Sequence, residues 1–191
     1  MAEVDDAVVA ELVGNAHGNL ARVRELLDAQ PAALNLRAPW NETAVEAATQ
    51  MGNKPILELL IARGAPVDFF TACVLGRVEQ VAAELEDDPA LSNARGVHEL
   101  PALYFAAIGG RKAIADLLLA AGANVNARAE AAAPIHGAVM GGSAEMVKLL
   151  LENGADRTLP DYEGRSARQL AEKMDRSDLA RLFDSETHAG A

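Results

Sequence analysis

Apolar residues recur along this chain at steps of three and four rather than in alternation, which predicts amphipathic helices and not strands. Three long runs show it: GNKPILELLIARGA from Gly52, GRKAIADLLLAAGANVNAR from Gly110 and GSAEMVKLLLENGAD from Gly142. Each suits one helix of about three turns, closed by a glycine able to take the left-handed C-terminal position. Before these runs lie the shorter segments TAVEAATQMG, PALYFAAIGG and APIHGAVMGG. Their small residues, Ala47, Ala48, Ala106, Ala107 and Ala138, allow a neighbouring helix to approach closely. The junctions Gly18, Gly52, Gly76, Gly110, Gly142 and Asp175 are separated by 34, 24, 34, 32 and 33 positions. Fixed spacing of this kind marks a repeat, in which no helix pair buries its apolar face alone and each leans on its neighbours.

The interval of 24 lacks about one loop. GAPVDFFTACVLG passes from a long helix into the next short one with almost no connection, so a notch is expected between the second and fourth repeats. Phe69 and Phe70 are expected to fill the space. The chain ends have the polar faces that terminal repeats need: Glu3, Asp5, Asp6 and Glu11 at the start, Arg176, Asp178 and Arg181 around LARLF. DSETHAGA, from Asp184, has no apolar period and reads as a frayed tail.

The helix, turn and longer helix at this period, with segments that align to T-P-L-H-x-A, resemble the ankyrin repeat. APIHGA, Ala133 to Ala138, is the nearest match. TAVEAA has Glu46 and PALYFAA has Tyr104 where the family usually has His, and DYEGRSARQLA is similar to the opening of a family repeat. The resemblance implies an all-α solenoid of about six helix-turn-helix repeats with short β-hairpin-like loops, the third repeat lacking its hairpin. The expected domain spans 1–183: a capping repeat 1–38, repeats at 39–66, 67–96 (shortened), 97–128 and 129–160, a capping repeat 161–183, then a flexible tail 184–191. It also implies that His136 braces a loop by hydrogen bonds.

Carried over position by position, the family's habit of gripping a protein partner with loop tips and short-helix ends, on a concave face, selects Trp40, Glu42, Met51, Val74, His98, Leu100, Tyr104, Phe105, Ile108, Glu130, Met140, Tyr162 and Arg165. Trp40 is the only tryptophan, and aromatic residues anchor interfaces because they bury large areas at small entropic cost. Leu100, Phe105, Ile108 and Met140 are expected to line an apolar groove rimmed by Glu42, Glu99 and Glu130. Such a groove suits a hydrophobic segment carrying Lys or Arg, and replacing Trp40 and Ile108 by alanine should remove binding without changing the melting curve.

Composition narrows the partner. Half of the residues are hydrophobic but only 4% aromatic, and the net charge is -11, which repels phosphate backbones and leaves a basic protein surface as the better match. An acidic inhibitor that masks such a surface is one alternative function; a small-molecule binder at the notch, lined by Phe69, Phe70, Cys73 and Val74, is another. No apolar run reaches the roughly 20 residues of a membrane span. The acidic opening residues are unlike an export signal, and with a single cysteine, Cys73, the expected compartment is the cytoplasm. The four histidines, His17, His98, His136 and His188, are scattered, so neither a metal nor a cofactor is expected, and no hydrolase, nucleotide or redox motif occurs. The one conceivable acid-base group, His98, Tyr104 and His136, needs the repeats to bring its members together. The expectation is a monomeric binding scaffold and not an enzyme.

Overall fold

The computed structural model describes residues 4–130 and 132–184 and divides into two compact units, 1–71 and 72–191. Glu3 of the expected N-terminal polar face, His188 and tail residues 185–191 lie outside the described residues. Among the described residues every regular element is helical, as the spacing of apolar positions predicts.

The first unit holds α1 (Asp6–Ala16), α2 (Leu20–Ala29), α3 (Ala44–Gln50) and α4 (Lys54–Ala62). Helix α1 packs on α2 and α3, and α4 on α2 and α3. The buried set Leu12, Val13, Val23, Leu27, Ile56, Leu57 and Leu60 is the apolar face that the three- and four-residue steps laid down. Ala44, Ala47 and Ala48 are fully covered, which lets α3 lie close to α1. Starts are chemically marked: Asp5 Oδ1 accepts from Ala7 N, Asn53 Oδ1 accepts from Ile56 N, and Thr43 with Glu46 forms a reciprocal capping box. Helix α5 (Phe69–Leu75) carries the division between the units. Within the first unit, its Thr71 hydroxyl lies 3.0 Å from that of Thr49, which donates to the Val45 carbonyl. Phe69 and Phe70 meet edge to face at 5.7 Å.

The second unit continues with α6 (Val78–Asp87), α7 (Ala102–Ile108), α8 (Lys112–Ala120), α9 (Pro134–Met140), α10 (Ala144–Glu152), α11 (Ala167–Lys173) and the short α12 (Ser177–Ala180). Short helices pack on short ones, α7 on α9 and α9 on α11, while long helices close the other side, α6 on α8 and α8 on α10. Gly109 and Gly141 make the short-helix stacking possible. A methyl group at Gly109 would stand 2.6 Å from the Val74 carbonyl oxygen, and one at Gly141 would enter the van der Waals envelope of the Ile108 carbonyl oxygen. Phe105, Ile114, Leu118, Ile135, Met146 and Leu150 fill the core.

The loops are hairpin-like without being strands. Main-chain bonds close their mouths: Ala38 N to Glu42 O, Gly96 N to Leu100 O, Ala129 N to Ala132 O and Asp161 N to Arg165 O, at 2.8–3.1 Å, with Ala102 N to Ala94 O at 3.0 Å as a second across the loop that holds the Arg95–Pro101 antiparallel bridge. The shortened connection is present as expected: only residues 65–68 separate Gly64 from Phe69, against 123–133 between Gly122 and Pro134. Asp184, placed with the tail by its sequence, is instead paired with Arg168 at 2.7 Å.

Candidate functional site

Trp40 and Tyr162 at loop tips and Met51 at a short-helix end are among the large hydrophobic side chains that packing leaves exposed. In the first unit the tip of the loop at 38–42 turns through Asn41, whose φ of 65° is the left-handed conformation that Asn tolerates. That turn leaves Trp40 half exposed, at 50%. Its indole N–H donates to Glu42 Oε2 at 2.8 Å, and Glu42 is itself buried, with 2% of its surface exposed. His17 at the end of α1 stands 3.8 Å from the other Glu42 oxygen. His17 donates from Nδ1 to the Gly14 carbonyl, so its Nε2 accepts from the Gln50 amide, 2.7 Å away. Met51 follows at the C-terminal end of α3 and is 40% exposed. Trp40, His17, Gln50 and Glu42 thus form one polar cluster with an exposed aromatic plane.

In the second unit Tyr162 is the most exposed large side chain at a tip, at 72%, with the Arg165 guanidinium 5.8 Å from its ring centre. Arg165 pairs with Asp161 at 2.7 Å. Burial alone would raise the Asp161 pKa, but the backbone and side chain of Arg165 and the backbone of Glu163 outweigh it and hold the carboxyl below its usual value. His98 and Glu130 are exposed at their tips, and Met140 is half-buried. His98 and Glu99 both have positive φ, 54° and 59°, so this loop tip is a tight left-handed corner built without glycine.

The expected apolar groove takes a different form. Leu100, Phe105, Ile108, Tyr104 and Val74 are all buried. Packing of short helix on short helix covers what helical spacing alone placed on an outer face. Replacing Ile108 by alanine would therefore open a cavity, contrary to the expectation of an unchanged melting curve. Glu42 lies under Trp40 rather than on a rim. Phe69, Cys73 and Val74, expected to line a pocket, are buried as well, and Phe70 is half-buried. Where the loop is missing, the first unit instead has a cleft of about 120 Å³ lined by Asn35, Arg37, Thr43, Val45, Glu46, Pro66 and Asp68.

His136 is fully buried and does brace a loop. Its Nδ1 accepts from Ala133 N, which leaves the proton on Nε2 to be donated to the Arg165 carbonyl, both at 3.2 Å. Burial pushes its pKa below the usual value. The Tyr104 hydroxyl is directed at Met140 Sδ, 3.7 Å away, and burial raises its pKa far above the ordinary range. Among the described residues no cluster of His, Cys, Asp or Glu has the arrangement of a metal site, and no helix is long and apolar enough to cross a membrane.

Sequence reasoning passed over His17, Asn35 and Arg37. The signal for the last two was available: NLRA, NARG and NARA recur at Asn35, Asn93 and Asn126, at the heads of the loops closed at Ala38, Gly96 and Ala129.

A family model described as ankyrin repeats (3 copies) matches residues 72–161 and 103–188. BCL-6 corepressor-like protein 1 of Homo sapiens is 35% identical over 142 residues, 74% of this chain and 7% of that protein. Potassium channel AKT1 of Arabidopsis thaliana is 36% identical over 80 residues, 42% of this chain and 9% of the channel. The channel of the same name from Oryza sativa subsp. indica is 41% identical over 71 residues, 37% of this chain and 8% of that protein. The chain thus spans less than a tenth of the length of these relatives.

Proposed function

Because the chain belongs to the ankyrin-repeat family, a family of non-catalytic interaction modules, we propose that it binds a partner protein through the loop tips and short-helix ends of its units. The observation that carries this reading is the exposure of Trp40, Met51 and Tyr162. They are three of the five large hydrophobic side chains exposed among the described residues, and all three stand where the family resemblance puts contact positions. Trp and Tyr exposed at a tip bring a large, stiff surface that loses little entropy on binding. Val74, Leu100, Tyr104, Phe105 and Ile108 are buried and belong to the packing of the second unit, not to the contact. His98, Glu130 and Met140 border the contact.

The partner is a protein with a basic surface, since the net charge of -11 favours approach of opposite charge and disfavours nucleic acid. The test compares proteins captured by the wild-type chain and by Trp40→Ala with Tyr162→Ala, quantified by mass spectrometry at low and moderate salt. Loss of specific partners from a variant with unchanged helical content is the expected result. Undiminished capture by the folded variant refutes the reading.

A further inference from the structure

The loops of the second unit grip one another through a repeated set of polar contacts. Asn93 donates its amide to the Gly122 carbonyl and accepts from Asn124 N, both at 2.9 Å. Asn126 does the same one loop further on, to the Gly154 carbonyl at 3.1 Å and from Asp156 N at 2.8 Å. Arg95 spans its own loop onto the Glu99 carbonyl at 2.7 Å and reaches the following loop at the Arg128 carbonyl, 3.1 Å away. His136 reaches the loop after its own at the Arg165 carbonyl. One flank of each loop is therefore a receptor for the main chain of the next.

The first unit carries the same receptor on a loop whose successor is absent. Asn35, Arg37 and Glu46 occupy the places that Asn93, Arg95 and His136 hold in their repeats. Arg37 keeps the bond across its own loop, to the Asn41 carbonyl at 2.6 Å, but with no following carbonyl within the unit it turns to Glu46 at 2.9 Å. Pro66 falls where Asn124 and Asp156 present an N–H, and proline has none to present. Asn35 is exposed and makes no hydrogen bond among the described residues. These residues line the cleft of about 120 Å³ together with Asp68. That volume is well below the roughly 300–1,000 Å³ of small-molecule pockets.

We propose that the vacated loop position is a docking site for an extended segment of the partner protein, which replaces the missing loop by offering main-chain carbonyls to Arg37 and Asn35. A basic side chain in that segment faces Glu46 and Asp68, matching the excess of acid in the cleft. The proposal rests on the protein-binding reading above but uses different side chains from Trp40 and Tyr162. Extended peptides added to a sheet edge are likewise held by main-chain hydrogen bonds, with pockets beside them for single side chains.

The probe is a capped synthetic peptide with the sequence of residues 123–133, the segment that carries Asn124, Asn126 and Arg128. Titrated into the ¹⁵N-labelled full chain, it should shift the Asn35 amide and Arg37 Nε resonances saturably. Asn35→Ala with Arg37→Ala should weaken it by about tenfold or more, the loss expected of one or two hydrogen bonds to a charged group. Since Arg37 also holds its own loop, a second variant keeps it and replaces residues 65–68 by the sequence 123–133, filling the position from within. This variant should retain its helical content and lose peptide binding. Saturable binding by the filled variant equal to wild type, or no saturable shift at Asn35 and Arg37, overturns the proposal. A failed titration beside capture that still depends on Trp40 and Tyr162 refutes the loop site alone; an intact titration beside capture indifferent to those two refutes the tip-face reading alone.

Discussion

Replacing His136 by alanine tests the bracing of the second unit directly. The side chain has no exposed surface, and it satisfies the Ala133 N–H and the Arg165 carbonyl at once. Removal leaves a buried N–H without its partner, at about 1–3 kcal/mol. It also loses the bond to the next loop, at about 0.5–1.5 kcal/mol, and leaves a cavity the size of the ring. A total near 3–5 kcal/mol is expected, a large share of the roughly 5–15 kcal/mol that holds a domain folded. Urea titrations followed by circular dichroism at pH 8 measure it, and amide exchange at Ala133 and Arg165 localises it.

The same residue predicts a pH dependence. The folded His136 pKa lies below its unfolded value near 6.5 because burial disfavours the charged ring. The unfolded chain therefore takes up the proton first, and the stability contributed by the neutral ring is complete above about pH 6.5 and lost as pH falls through the lowered folded value. Wild type should lose more stability between pH 7 and 5 than His136→Ala does. A variant within about 0.5 kcal/mol of wild type at pH 8, or one with the same pH slope, would refute the assignment of His136 as a neutral brace.

Two further perturbations probe the packing. Gly141→Ala forces α9 away from the Ile108 carbonyl of α7 and should cost about 1–3 kcal/mol or more by overpacking, read as a lowered urea midpoint; a midpoint equal to wild type would show that the helices have room to separate. Thr71→Val deletes the hydroxyl facing Thr49 inside the first unit and should cost about 1 kcal/mol, smaller than Gly141→Ala because Thr49 keeps its bond to the Val45 carbonyl.

Helix positions, closing glycines and the missing loop were all legible in the chain, because helical spacing and left-handed caps depend on neighbours a few residues away. Loop bracing by His136 followed from its place in APIHGA and the resemblance that segment carries, and the structure bears it out at Ala133 N and the Arg165 carbonyl. The contact face was legible only in part. Trp40 and Tyr162 stand exposed at tips, as their positions in the repeat predicted, whereas Glu42 in the same loop as Trp40 is covered by it. Leu100, Phe105 and Ile108 lie in stretches whose exposure depends on how closely the next short helix approaches, and Gly109 and Gly141 bring that helix within backbone distance.

By itself, then, the sequence determines that this is a helical ankyrin-repeat chain with one loop short. Only the tertiary structure decides which side chains that chain leaves outside. It folds Trp40 over a buried Glu42, seals the expected groove under stacked short helices, and turns Arg37 back onto Glu46 where a following loop would have received it. The physical reason is range: helix formation and capping are decided within one turn of the chain, whereas burial and polar pairing depend on residues about one repeat away.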